Sequence, residues 1–392
     1  MSASLRPGDA EPGGLRSGSR ARGARVLEQA DRSAFTVRES KDGTTGALAA
    51  DRRDNCRVPD QLNSPPSPSK PPSPPSVPSF PKPADPHGTT TGLAWPTSLT
   101  TTVDDVALVF EGGGMRGAYT AAVLTALLAE GIHFPHVSGI SAGSSHTMNY
   151  VSRDPWRAHA SFVDVAGDER CGGPGYWLRG QGLFNVDFLY DEVVRPGGPL
   201  PFDHATFHAN PAQVQVGTFN ASRGEEVWFG KEDMSGVFDM ARCVRASSTL
   251  PFLMPPLVID GETYYDGALG PNGGIALDAP MRAGYRKFVL VLTRPRGYVK
   301  GPVRPALDAA LAARFRHLPA VREGVVRRPS RYNAALRTIE RLEEQGRAWV
   351  FRPDSPNVRS TEMDVDKLEA AYRAGSAQIQ REMPCLKAFL GM

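Results

Sequence analysis

The chain has no run approaching the ~20 consecutive apolar residues that a membrane-spanning helix requires. Residues 1–40 also lack the apolar core of a secretory leader, because their basic residues are interleaved with acids and glycines. The expectation is a soluble, cytoplasmic protein that meets membranes only at their surface. An excess of charge of one sign is missing too: 45 Lys and Arg stand against 42 Asp and Glu, a net +3. That balance gives nucleic acid no reason to be a partner. Cysteine is scarce, and Cys56, Cys171, Cys243 and Cys385 form no CxxC pair and have no His at ligand spacing. Neither a disulfide framework nor a zinc site is suggested.

Large apolar side chains are few in residues 1–103, and half of the residues from Pro65 to Pro86 are proline, interspersed with serine. Prolines at that density remove backbone donors and favour extended polyproline II. The stretch is expected to be a disordered arm, with a PxxP-type docking segment as the alternative. Beyond it the composition is that of an ordinary globular protein. A length of 392 residues accommodates several average domains, yet α/β folds often use about 200–250 residues as one unit.

Order is expected from Val106. Val106 to Phe110 reads as a fully buried strand, and Ala118 to Ala129 as a helix, with Gly131 as its stop. His136 to Ile140 reads as a strand leading into Ser141, and Ala142 to Val151 as a second helix. Asp154 to Asn210 is rich in Gly and aromatics and is read as a variable region, with a helix from Val186 to Val194 capped by Asn185. Val214 to Phe219 and Glu226 to Phe229 flank Ser222-Arg223-Gly224. Leu257 to Ile259 and Glu262 to Tyr265 flank the turn dipeptide Asp260-Gly261, and both pairs read as hairpins. Lys287 to Thr293 and Ala348 to Phe351 are further strands. A Ser330-capped amphipathic helix through Tyr332, Leu336, Ile339 and Leu342 lies between them, and residues 365–389 form a last helix.

Two glycine motifs carry chemistry. Gly139-Ile140-Ser141-Ala142-Gly143 is a G-x-S-x-G between a strand and a helix, where small neighbours permit the strained turn that exposes a nucleophile. Gly112-Gly113-Gly114-Met115-Arg116-Gly117 follows the first strand. Its spacing fits a dinucleotide fingerprint, and equally a loop of exposed amides for an oxyanion. The nucleotide reading wants an acid about 20 residues on, and the next strand ends instead at Ser141. A base for Ser141 is hard to find among His87, His133, His136, His146, His159, His204, His208 and His317. Only His317 follows Asp266, and it sits in a basic, helix-like run. Asp266-Gly267-Ala268 offers the alternative, an aspartate that takes the serine proton directly.

The three motifs in this order resemble the patatin-like phospholipase family across about residues 106–295. Arg245-Ala246-Ser247-Ser248-Thr249-Leu250-Pro251-Phe252 is similar to the stretch those enzymes carry before their Asp-Gly. Gly182-Leu183-Phe184-Asn185 and Leu292-Thr293-Arg294-Pro295 resemble a bacterial subgroup. The resemblance implies a three-layer α/β/α fold with a central, mainly parallel sheet. It divides the chain into an extension at 1–103, a catalytic domain at 104–300 and a C-terminal helical extension at 301–392 whose strand joins the sheet.

It further implies a Ser141–Asp266 dyad and an oxyanion hole from Gly112, Gly113, Gly114, Arg116 and Gly117, with Gly139, Gly143 and Gly267 framing the motifs. The expected reaction is hydrolysis of a phospholipid or lysophospholipid acyl ester, with no cofactor and no metal. Acyl transfer by the same dyad and a nucleotide-binding regulatory module are the alternatives. Arg116 either assists the loop or is a surface residue, Met115 either lines an acyl pocket or packs beneath the loop, and Leu250 to Leu257 either borders a lipid cleft or fills the core. The arginines of residues 304–331 suggest a peripheral membrane contact or a solvated face. Oligomeric state is not legible.

Overall fold

The computed structural model describes residues 99–355 and 358–392, so the Pro- and Ser-rich stretch read as a disordered arm lies outside them. Among the described residues eight strands form one sheet: β1 (Val106–Phe110), β2 (His136–Ile140), β3 (Gln213–Asn220), β4 (Glu225–Phe229), β5 (Leu257–Ile259), β6 (Glu262–Asp266), β7 (Lys287–Val291) and β8 (Ala348–Phe351). Their order is β5-β6-β3-β2-β1-β7-β8, with β4 also on β3. The pairings within β3-β2-β1-β7-β8 are parallel, and those of β4, β5 and β6 are antiparallel. The chain is ordered slightly before β1, because the Thr102 amide donates to the His133 carbonyl at 2.8 Å and Val103 is buried.

Strands β1 and β8 are apolar at every position, and β7 at every position after Lys287, because both faces are covered. Val106, Leu108 and Phe110 enter one core while Ala107 and Val109 enter another, and β7 and β8 divide in the same alternation. The first core is closed by helices α1 (Gly117–Ala129), α2 (Ala142–Val151) and α3 (Val237–Ser248), and by α6 (Val365–Leu390). The second is closed by α5 (Pro319–Glu344), through Tyr332, Ile339 and Leu342. This is a central, mostly parallel sheet flanked by helices on both faces. A smaller cluster joins Leu311 of α4 (Pro305–Arg314) and Phe315 to Phe219 and Tyr265.

Helix α6 contributes Leu368, Tyr372, Ile379, Met383 and Leu386 to the first core, each worth about 1.5–3 kcal/mol of burial. It approaches α1 closely: a Cβ on Gly375 would stand 2.3 Å from the Tyr119 carbonyl oxygen. Tyr119 and Thr125 then reach Gln378 and Tyr372 by hydrogen bonds of 2.6 and 3.1 Å. The C-terminal part of the chain therefore holds the helix that follows the Gly112–Gly117 loop.

Three elements differ from the sequence reading. The helix expected at Val186 to Val194 is a single π-type turn at Phe188–Glu192, with Asn185 Oδ1 accepting from the Phe188 amide at 3.3 Å. Ser330 caps nothing. Helix α5 starts eleven residues earlier with Pro319 in its first turn and runs through Pro329, while Ser330 Oγ donates to the Arg327 carbonyl at 2.9 Å. Pro319 suits a first turn, whose amide has no intrahelical partner anyway. Helix α3, which leads into Arg245-Ala246-Ser247-Ser248, has no counterpart in the sequence reading.

Candidate active site

Strand β2 delivers Ser141 onto the N-terminus of α2 with φ 57° and ψ −126°. A non-glycine residue reaches that conformation only when its surroundings over-determine it. Here the constraint comes from both sides. The Ser141 amide donates to Ser247 Oγ at 2.9 Å, and the Ser141 carbonyl accepts from the Ser144 amide at 2.8 Å and from Ser144 Oγ at 2.6 Å. The framing glycines are steric necessities: a Cβ on Gly139 would stand 2.1 Å from the Gly143 carbonyl oxygen, and one on Gly143 2.3 Å from that of Phe110.

The sheet topology places Asp266 opposite this elbow. Strand β3 pairs with β2 over Gln213 to Gly217 and with β6 over Thr218 to Asn220, so β2 and β6 occupy one edge of β3 in succession. They approach head to head: Ile140 is opposite Gly217, and Asp266 is opposite Thr218. Ser247 ties the junction together, since its hydroxyl donates to the Gly217 carbonyl at 2.6 Å while accepting from Ser141. Gly267 fits there because a Cβ would lie 2.3 Å from that same carbonyl.

Asp266 Oδ1 accepts from the Ala268 amide at 2.8 Å, and the Ser141 side chain lies near enough to act on its titration. Only 1% of Asp266 is exposed. Burial raises its pKa, opposed by the charge of Arg328, by the Ala268 amide and by the nearby Ser141 side chain.

The glycine loop packs beside Ser141. The Gly112 amide is committed to the Gly274 carbonyl at 3.0 Å, and the Gly117 amide to the carbonyls of Gly114 and Met115. Neither is available to an oxyanion, which departs from the sequence reading. The amides of Gly113 and Gly114 have no protein partner among the described residues. Gly114 adopts φ +56°, and a Cβ on it would stand 2.3 Å from the Ser360 carbonyl oxygen, which accepts the Met115 amide at 3.0 Å.

Behind the loop Arg116 is 7% exposed, so the surface reading fails. Its Nε lies 3.5 Å from Thr293 Oγ1, and burial brings its pKa down to about 10. Glu111 is also buried, accepting from Tyr332 Oη at 2.7 Å and from the Thr293 amide at 2.6 Å.

Residues 108–278 match the model of a family described as patatin-like phospholipase. Residues 108–278 are a patatin-like phospholipase domain. Residues 318–391 match a second family, a domain of unknown function, DUF6363. Among curated proteins the chain is similar to the uncharacterized protein YjjU of Escherichia coli (strain K12), at 26% identity over 192 residues. That match covers 48% of this chain and 52% of YjjU, so the chain spans about half the length of that relative. Among solved structures it is similar to VipD from Legionella pneumophila, at 13% identity and a TM-score of 0.39, covering 73% of this chain and 67% of that one.

A cavity of about 140 Å³ opens at Ser141 and Gly114, its wall completed by Ser360 from beyond the patatin-like domain. Its wall is mainly apolar, including Met115, Met148, Phe162, Val193, Val244 and Met254. Met115 therefore faces the cavity, and Leu250 and Met254 border it, while Phe252 packs away from it against Phe315. No histidine among the described residues contacts Ser141 or Asp266. His146 is fully buried between Phe110 and Phe162, 2.9 Å from Thr120 Oγ1, with its pKa pushed down to about 3 by burial. His317 is exposed and accepts from Arg316.

Three supports escaped the sequence reading: Tyr332 on Glu111, Ser360 on the glycine loop, and the bridge through Ser247. Only Ser247 had a local signal, as part of the stretch similar to the family.

The described residues contain no group of three or more His, Cys, Asp or Glu able to hold a metal ion, and no helix long and apolar enough to cross a membrane. Cys171 and Cys243 are buried free thiols. The apolar side of α4 is engaged internally, since Leu311 and Phe315 are buried against Phe219 and Tyr265.

Proposed function

We propose that this chain is a lipid acyl hydrolase that cleaves the carboxylic esters of phospholipids or lysophospholipids. The observation that carries the reading is the meeting of β2 and β6 on β3, which sets the buried Asp266 beside the Ser141 elbow, with Ser141 on the wall of an apolar cavity. Ser141 Oγ attacks the ester carbonyl and its proton passes to Asp266, which is accessible only to its immediate neighbours. The carbonyl oxygen becomes an oxyanion facing the partner-free amides of Gly113 and Gly114. Asp266 then returns the proton to the departing alkoxide, leaving an acyl-Ser141 ester.

Water attacks that ester in the second half, giving a proton to Asp266, and Asp266 passes it to Ser141 Oγ as the acyl–oxygen bond breaks and the fatty acid leaves. Burial suits Asp266 to this exchange, because a raised pKa makes it a stronger base once ionised. The apolar wall accounts for a long acyl chain. Leu178, Phe238 and Val258 are exposed apolar side chains, available for peripheral contact with a membrane in the cytoplasm.

The test is release of fatty acid from a panel of phospholipids, lysophospholipids and simple esters, followed by mass spectrometry, for wild type, Ser141→Ala and Asp266→Asn. Release by the wild type alone supports the reading. Release undiminished in Ser141→Ala, or a wild type inert toward every ester, overturns it.

A further inference from the structure

A second polar cluster adjoins the elbow on the side away from the apolar cavity. Arg294 and Lys300 follow β7, and Arg328 projects from α5. None of the three lines the cavity. Their basic groups gather around Tyr298 and Tyr332: the Arg294 guanidinium is 4.5 Å from the Tyr298 ring centre, and Lys300 Nζ is 4.7 Å from that of Tyr332. Arg328 Nε donates to the Gly273 carbonyl at 3.1 Å, and its terminal nitrogen would stand 3.5 Å from a Cβ on Gly274. Gly274 in turn accepts the Gly112 amide, and Gly112 packs against Ser141. The cluster thus reaches within two backbone segments of the nucleophile.

Its charges do not balance. Among the described residues the charges that weigh most on Lys300 are those of Arg328, Arg116 and Arg294, opposed by Glu111, whose carboxylate also accepts from Tyr332 and Thr293. Arg294 Nε is buried with no hydrogen-bond partner. A buried donor without an acceptor is costly, and one held among surplus cations lacks an anion. Arg294, Lys300 and Arg328 are all half-buried, so the cluster has a side open to solvent.

We propose that Arg294, Lys300 and Arg328 form a binding site for a phosphate group, either the phosphodiester of a lipid headgroup or a free phosphate. The inference deepens the hydrolase reading and in part rests on it. On that reading the acyl chain occupies the apolar cavity, and the cations, separated from Ser141 by the Gly112 and Gly274 backbones, are left for the phosphate. Guanidinium groups supply the forked donors that phosphate oxygens accept, and Lys300 adds a point charge. Burial and the neighbouring arginines bring the Lys300 pKa down. An arriving anion opposes that shift and favours the protonated Nζ, so affinity rises as pH falls.

The probes are glycerophosphoglycerol, a diester that does not titrate near neutrality, and inorganic phosphate. Each is titrated into full-length Ser141→Ala protein by calorimetry, in two buffers of different ionisation enthalpy. Expected are saturable binding of the diester, proton uptake on binding that shrinks as pH is lowered, and roughly tenfold weaker binding for each cation removed in Arg294→Met and Lys300→Met. Lys300→Arg keeps a permanent charge; it should bind the diester without proton uptake. Thermal unfolding of each variant separates lost binding from lost folding.

Stronger binding of the diester names the lipid headgroup as the source, and stronger binding of inorganic phosphate names the free ion. Absence of binding by both at millimolar concentration, or undiminished binding in the Arg294→Met/Lys300→Met double variant, overturns the site. Phosphate binding by a protein inert toward esters would leave the site standing and remove the hydrolase reading.

Discussion

Replacing Ser247 by Ala removes one hydroxyl that contacts neither substrate nor solvent, and the expected consequence is large. Its oxygen accepts from the Ser141 amide at 2.9 Å and donates to the Gly217 carbonyl at 2.6 Å, with no exposure of the side chain. Truncation strands the buried Ser141 amide at about 1–3 kcal/mol and forfeits a further bond worth about 0.5–1.5 kcal/mol. A total of roughly 2–4 kcal/mol lowers Tm by roughly 3–7 °C for a protein of this size.

Activity should suffer separately. Ser141 holds φ 57°, a conformation costing on the order of 1–3 kcal/mol that its surroundings must enforce. With one restraint gone, the productive geometry becomes the minority state and turnover falls roughly 10–100-fold at about 1.4 kcal/mol per decade. Thermal unfolding and steady-state turnover of a soluble ester measure the two effects independently. A Ser247→Ala protein with Tm within about 1 °C and turnover within twofold of wild type would refute the idea that this hydroxyl holds the elbow.

The raised pKa of Asp266 sets opposite trends for stability and rate. Between the ordinary aspartate value of 3.8 and the raised folded value the native state retains a proton that the unfolded chain has released, so stability falls as pH rises through that window. Asp266→Asn should therefore melt at higher temperature than wild type at pH 7, with the difference fading below pH 4, while turnover drops by about 10²–10⁴-fold. Equal melting at both pH values would count against the burial argument. In the wild type, turnover should rise with pH as Asp266 ionises, and a flat profile between pH 4 and 8 would exclude it as the base.

Gly143→Ala forces a methyl to 2.3 Å from the Phe110 carbonyl oxygen. Purified protein should lose activity and cooperative unfolding together, and a normal melt with full activity would contradict the steric reading. Tyr332→Phe strips a 2.7 Å hydrogen bond from buried Glu111, with an expected loss of about 1–3 kcal/mol by denaturant titration; no loss would mean that Glu111 is satisfied in another way.

Strands β1 and β8 were legible because each is an unbroken apolar run bounded by charged residues, the pattern of a two-sided buried sheet. The second hairpin was legible for a different reason: Asp260 and Gly261 both take positive φ, at 51° and 80°, as an Asp-Gly turn prefers. Helix α5 was misjudged because Ser330 looks like a cap, while the competing start at Pro319 is followed by arginines that hide its apolar spacing. The turn at Phe188–Glu192 carried a true Asn185 signal but lacked the length of a helix.

At the site, Ser141 and the framing glycines were visible because local backbone geometry demands small residues around an elbow. The commitment of the Gly112 amide to Gly274 and the closure of the loop by Ser360 were not visible. Both depend on residues more than a hundred positions away that the sheet topology brings back.

The most direct measurement is intact-mass and peptide mapping of the full-length protein after reaction with an alkyl fluorophosphonate. The account expects one adduct, on Ser141, forming rapidly in wild type, slowly in Asp266→Asn and not at all in Ser141→Ala. An unmodified wild type, or an adduct on another serine that persists in Ser141→Ala, would contradict a nucleophile at this elbow.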